Sequence, residues 1–218
     1  MRKTIPLADA LAMDDGMIPP ETWYGRPVPE RRWLVPHLIP RGAVTMLSGD
    51  GGVGKSLLAM QLMTAGITSG QHGGGRWIGI EVPRFTSVGF FCEDDELELQ
   101  RRQDAINGHF GIDFRALAGM KLWPRVGREN VMVSYSREQP PRISRTFRSL
   151  EQRIRDLNIE LIVIDTVADV FGGNENYRAE VRDFIGRLRE LARINDGAVL
   201  LTAHPSVAGQ QSGTGLSG

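Results

Sequence analysis

The apolar positions of this chain fall into short, unbroken runs separated by longer stretches in which they recur every three to four residues. The runs lie at 43–47 (Ala-Val-Thr-Met-Leu), 87–91 (Ser-Val-Gly-Phe-Phe), 160–166 (Glu-Leu-Ile-Val-Ile-Asp-Thr) and 198–203 (Ala-Val-Leu-Leu-Thr-Ala). Branched and aromatic residues without alternation predict strands buried on both faces, as in a parallel sheet covered by helices. Between them, Leu57-Leu58-Ala59-Met60-Gln61-Leu62-Met63 is rich in helix formers, and a helix is predicted from about Glu96 to Gly108. Phe147, Leu150, Ile154 and Leu157 mark a third helix, and Val181, Phe184, Ile185, Leu188, Leu191 and Ala192 a fourth. Met120-Lys121-Leu122-Trp123 is a further short strand. Strands alternating with helices predict an α/β fold with right-handed crossovers.

The two flanks follow different rules. Residues 1–41 hold the densest run of prolines together with Trp23, Tyr24 and Trp33, which predicts an extended segment packing its aromatics on a domain spanning 42–218. Residues 111–145 carry Arg125, Arg128, Arg137, Arg142 and Arg145. They read either as a solvated insert or as a surface for nucleic acid or a partner subunit. The glycine-rich stretch at 205–218 reads as a flexible loop or tail, without lysine, arginine or an aromatic residue to hold nucleic acid.

Composition narrows the class. The chain has 218 residues, enough for one domain with a core, and 26 basic residues balance 26 acidic ones. A net charge of zero gives no global attraction for nucleic acid. The single cysteine, Cys92, excludes an intramolecular disulfide and reads as a small buried residue. No apolar run approaches a membrane span, so the expectation is a soluble, cytoplasmic protein with no membrane partner.

The candidate chemistry sits between the first run and the first helix. Gly49-Asp50-Gly51-Gly52-Val53-Gly54-Lys55-Ser56 matches the phosphate-loop pattern G-x-x-x-x-G-K-[ST], with Leu57 opening the helix. Strand, glycine loop and helix start converge backbone N–H groups on one point, where a polyphosphate can sit. Lys55 is placed for the β- and γ-phosphates of ATP, and the Ser56 hydroxyl for Mg²⁺. Gly49, Gly51 and Gly54 also fit a dinucleotide fingerprint, but Glu81 lies too far on and Lys55-Ser56 would then have no task. Asp165, ending the 160–166 run, is placed to orient Mg²⁺; capping the next turn is its structural alternative.

Four strand ends thus present residues 49–56, Glu93, Asp165 and His204 in that order, a set that resembles the RecA-like P-loop ATPases. Within them the chain resembles the RepA-type replicative helicase family, whose type member forms a ring. Leu38-Ile39-Pro40-Arg41-Gly42, Phe91-Cys92-Glu93-Asp94-Asp95, Leu161-Ile162-Val163-Ile164-Asp165, Leu201-Thr202-Ala203-His204-Pro205-Ser206 and the terminal Ser212-Gly213-Thr214-Gly215-Leu216-Ser217-Gly218 carry it. The resemblance implies that Glu93 activates the attacking water, with Asp94 as the alternative, and that His204 senses the γ-phosphate. It implies ATP and Mg²⁺ as cofactors and a ring-like homo-oligomer, with a hexamer as the candidate size. Single-stranded DNA is the implied partner and unwinding the implied work. Such a core continues beyond a Gly-Leu-Ser-Gly stretch and lends its neighbour an arginine finger, so the chain reads as C-terminally incomplete. A nucleotide-gated regulator with little turnover is the second reading, and a small-molecule phosphotransferase the third.

Overall fold

The computed structural model describes residues 16–71, 74–136 and 138–204. Arg137, Pro205-Ser206 and the rest of the 205–218 tail therefore lie outside the described residues. The chain divides into two compact units, Met1–Arg31 and Arg32–Gly218. In the first, a single 3-10 helix spans Pro20–Trp23, opened by Pro19-Pro20 and tied by a Thr22 hydroxyl donating to the Pro19 carbonyl at 2.8 Å.

The second unit begins with a hairpin, β1 (Trp33–Val35) against β2 (Ile39–Pro40). Its buried Leu34, Val35 and Ile39 join the core, so these residues of the proline-dense lead-in are part of the domain itself. There follow β3 (Val44–Ser48), α1 (Lys55–Ile67), a two-residue hairpin β4 (Arg76–Trp77) and β5 (Ile80–Glu81), then β6 (Ser87–Phe91) and α2 (Glu96–Phe110). A 3-10 turn at Phe114–Leu117 leads to β7 (Met120–Pro124), β8 (Val133–Ser134), β9 (Arg142–Ile143) and α3 (Arg145–Asp156). The chain continues through β10 (Leu161–Asp165), the single turn α4 (Val167–Val170), β11 (Phe171–Gly172), α5 (Arg178–Arg193) and β12 (Ala198–Ala203).

Five of these strands form one parallel sheet in the order β3-β12-β10-β6-β7. The unbroken apolar run of β10 divides between its faces. Leu161 and Val163 pack with α1 and α2, whereas Ile162 and Ile164 pack with α3 and α5. Helices on both sides explain why no position in β6, β10 or β12 faces water. The 111–145 stretch supplies β7, the sheet's edge strand, and two strands of a small second sheet ordered β11-β8-β9. Among the described residues, no helix is long and apolar enough to cross a membrane.

The topology sets the site. The two strands that carry the glycine loop and Asp165 are not neighbours, because β12 lies between them. His204, one residue beyond β12, is thereby delivered to the carboxyl edge between the strands that carry the loop and Asp165. In open α/β sheets that edge is where ligands bind.

Candidate functional site

The loop after β3 is built from backbone. Gly52 and Gly54 hold φ of 74° and 92°, conformations that strain any residue with a Cβ. Gly54 is also the N-cap of α1 and offers no side-chain cap, so the first amides of the helix stay available to a ligand. A hydrogen bond from the Gly49 N–H to the Ala203 carbonyl, 3.2 Å, ties the loop's start to β12.

Lys55 folds back over this loop. Its Nζ donates to the Gly49 carbonyl at 2.6 Å and the Asp50 carbonyl at 2.8 Å, and approaches His204 Nδ1 at 3.4 Å. The residue is only 8 % exposed, and no carboxylate among the described residues pairs with it. A buried ammonium without a counter-ion is costly unless an anion joins it. His204 Nδ1 can accept from the Lys55 ammonium, and its Nε2 faces Glu93 Oε1 at 4.0 Å.

Asp165 is the opposite case. It is 1 % exposed, its Oδ1 accepts from the Thr202 hydroxyl, and no cationic side chain among the described residues pairs with it. Its carbonyl receives the Cys92 N–H at 2.7 Å, which locks the end of β10 to the loop bearing Glu93. A buried carboxylate with one hydroxyl partner fits a divalent cation, so the residues present suit Mg²⁺. No group of three or more His, Cys, Asp or Glu among the described residues makes a metal site alone. A magnesium ion here would rest on Ser56, Asp165 and phosphate oxygens together.

The acidic run after β6 divides its labour. Asp95 caps α2 by accepting from the Glu98 N–H at 2.8 Å. Asp94 is bound by Arg102 at 2.6 Å, yet burial outweighs that attraction and holds its carboxyl above the usual range. Glu98 is held by Arg101 and Arg102, both at 2.9 Å. Glu93 alone of the first three acids has neither an arginine nor a cap, and its side chain is exposed. Burial pushes the Cys92 thiol up to about 12, so it serves as a spacer.

A cavity of about 290 Å³ is lined by Gly52, Gly54, Lys55, Ser56, Leu57, Glu93, Asp94, Arg102, Asp165, Thr166 and His204. It gathers Lys55, Ser56, Glu93, Asp165 and His204 in one place, with Gly49, Gly51 and Asp50 forming the loop beneath and Val53 exposed at its rim. Asp165 joins Thr166 through a cis peptide. Two contributors are not apparent from motif reading. Thr202 is a buried hydroxyl in an otherwise apolar strand, and Arg102 stands four residues after Glu98 on α2. The Glu-to-Arg spacing and the isolated polar residue two before His204 were the available signals.

Comparisons with known proteins agree with this architecture. A family model described as an AAA domain matches residues 16–210. No protein of curated function matches the chain in sequence. Among solved structures, a KaiC-like protein from the hyperthermophilic archaeon Pyrococcus horikoshii OT3 superposes with a TM-score of 0.50 at 18 % identity, over 82 % of this chain and 71 % of that one. That likeness concerns the fold. The family match spans most of the chain, and with the glycine loop on a five-stranded parallel sheet it places the protein in the AAA domain family, as an ATPase of the RecA-like P-loop fold.

Proposed function

We propose that the protein binds Mg·ATP at the carboxyl edge of its sheet, hydrolyses it, and couples turnover to binding or unwinding single-stranded DNA as a ring-like assembly of several copies. One observation carries the nucleotide part. A buried cation, Lys55, and a buried anion, Asp165, each lacking a counter-charge among the described residues, border the same small cavity. Mg·ATP supplies both missing charges at once.

The roles follow from placement. The loop amides and Lys55 bind the β- and γ-phosphates, and Ser56 and Asp165 hold Mg²⁺, which neutralises phosphate charge when bound. Glu93, the one of the first three acids held by neither an arginine nor a cap, has a carboxylate that can accept a hydrogen bond from a water aimed at the γ-phosphate. His204, between Lys55 and Glu93, registers whether Lys55 is engaged by phosphate. The ring and the DNA rest on the resemblance of the strand-end motifs to the RepA-type helicases.

The test is phosphate release from Mg·ATP with and without single-stranded DNA, using Glu93→Gln as control. DNA-stimulated release that disappears in the variant supports the motor. Tight ATP binding without release under any condition points instead to a nucleotide-gated regulator.

A further inference from the structure

Eight arginines of the described residues are tied into ion pairs; among the others, four exposed ones gather in the 125–148 stretch. Arg32, Arg41, Arg101, Arg102, Arg115, Arg155, Arg187 and Arg193 each pair with a carboxylate. Arg128, Arg142, Arg145 and Arg148 are exposed and pair with none among the described residues. These four lie together. Arg125 donates to the Glu129 carbonyl at 2.5 Å and approaches the Thr146 hydroxyl at 3.4 Å, so the turn bearing Arg128 abuts the first turn of α3. Arg142 opens the short β9, two residues before Ser144, which caps α3 through the Phe147 N–H at 3.1 Å. Arg145 and Arg148 follow one helical turn apart on the same side.

The patch is crowded with like charge. After burial, the neighbouring Arg128 is what holds Arg125 below its usual value. Glu129 and Glu138 are the acids of this stretch, against Arg125 and the four exposed arginines, and neither forms an ion pair among the described residues. An uncompensated cluster in a chain of zero net charge calls for an external polyanion. Trp123 is no base-stacking platform, because Arg125 and Arg153 already cover its ring at 5.3 and 4.8 Å. None of the exposed large aromatic residues lies in the 125–148 stretch.

We propose that Arg128, Arg142, Arg145 and Arg148 form a docking surface for the phosphate backbone of a double-stranded nucleic acid, read without regard to sequence. Guanidinium groups with no aromatic partner gain most from the highest phosphate density, which is that of a duplex; single strands need stacking to bind well. The surface also has a route to the nucleotide edge. Five residues past Asp165, the Val170 carbonyl accepts the Met132 N–H at 2.8 Å, and the Met132 carbonyl accepts the Ser144 N–H at 3.0 Å. Two backbone hydrogen bonds thus join the end of α4, the turn that follows Asp165, to the cap beside Arg145.

The test is fluorescence anisotropy of a labelled random-sequence duplex without nucleotide, so it stands whether or not the protein proves to be a motor. R142A/R145A/R148A should lower affinity at least tenfold at moderate salt and reduce the slope of log K against log salt by about 2.7, three contacts at about 0.9 each. The corresponding triple lysine variant should keep both. R148A alone, on an exposed helix face, should reduce the slope by about 0.9 and covers the case in which the triple variant does not fold. R182A/R189A, which removes exposed arginines of α5, should change neither quantity. Equal duplex binding by wild type and R142A/R145A/R148A, equal losses in the α5 variant, or tighter binding of single strands than of duplex would each overturn the proposal.

Discussion

Two cavities border α2, and they differ in kind. The one at the glycine loop is about 290 Å³ and gathers Lys55, Glu93, Asp165 and His204. The other, about 800 Å³, opens between α2 and β7 and is lined largely by Leu99, Leu117, Met120 and Leu122, with Gln103 set among them. Volume alone would favour the second. Its charged groups at the mouth, Glu96 and Arg115, are exposed, and Arg115 is already bound to Asp113 at 2.6 Å. In the smaller cavity a buried cation and a buried anion lack a counter-charge among the described residues. Unmet charge in a low-dielectric place marks a binding site far better than empty space does.

The largest effects should come from the smaller cavity, and they should separate binding from turnover. Lys55→Ala removes the only buried cation there and should abolish detectable Mg·ATP binding, measured by titration with a fluorescent ATP analogue. Glu93→Gln should keep binding within a few-fold and reduce phosphate release about 10²–10⁴-fold, the usual reach of general-base catalysis. Unchanged turnover in both variants would mean that the chemistry lies elsewhere.

In the larger cavity the same comparison predicts a loss of stability without a loss of nucleotide. Leu99 is 2 % exposed and packs into the core shared by α1, α2 and the sheet. Leu99→Ala should cost about 2–5 kcal/mol, which lowers the melting temperature by roughly 4–20 °C in a domain of this size. Affinity for the ATP analogue, measured well below that temperature, should stay within about twofold of wild type. A drop of tenfold or more would make the larger cavity part of the nucleotide site.

The two cavities also differ in how far they could be read from the chain. The sheet strands were legible because burial on both faces leaves continuous apolar runs, as in Leu161-Ile162-Val163-Ile164. The glycine loop was legible because its spacing is local and its strand and helix are adjacent in sequence. The insertion of β12 between β3 and β10 was not, since strand order depends on pairings between distant segments. Nor was the fate of each acid in Glu93-Asp94-Asp95, which is decided by Arg102 one helix turn beyond Glu98 and by the cap on α2. The sheet β11-β8-β9 escaped for a simpler reason. Strands of two residues have no periodicity to detect, and they are held by pairing distant segments, Phe171-Gly172 with Val133-Ser134 and these with Arg142-Ile143.

The smallest effect concerns Asp94, which lines the smaller cavity just before α2. Burial raises its pKa in the folded state, and Arg102 offsets only part of that shift. A carboxyl with a raised folded value holds more protons folded than unfolded across the interval between the two values. Stability therefore falls as pH rises through that interval, and the cost of the buried charge is fully present above it. Asp94→Asn removes the titrating group while Arg102 keeps Glu98 at 2.9 Å. The variant should melt slightly higher than wild type at pH 7, by about 2–4 °C for a change on the order of 1 kcal/mol. That advantage should shrink as pH is lowered toward the ordinary aspartate value, and level off below it. If the variant instead melts lower at pH 7, and its deficit closes on acidification, then the attraction of Arg102 exceeds the cost of burial. Asp94 would in that case be a net stabiliser of the loop that carries Glu93, and the division of the acidic run into one free carboxylate and two structural ones would rest on charge pairing alone.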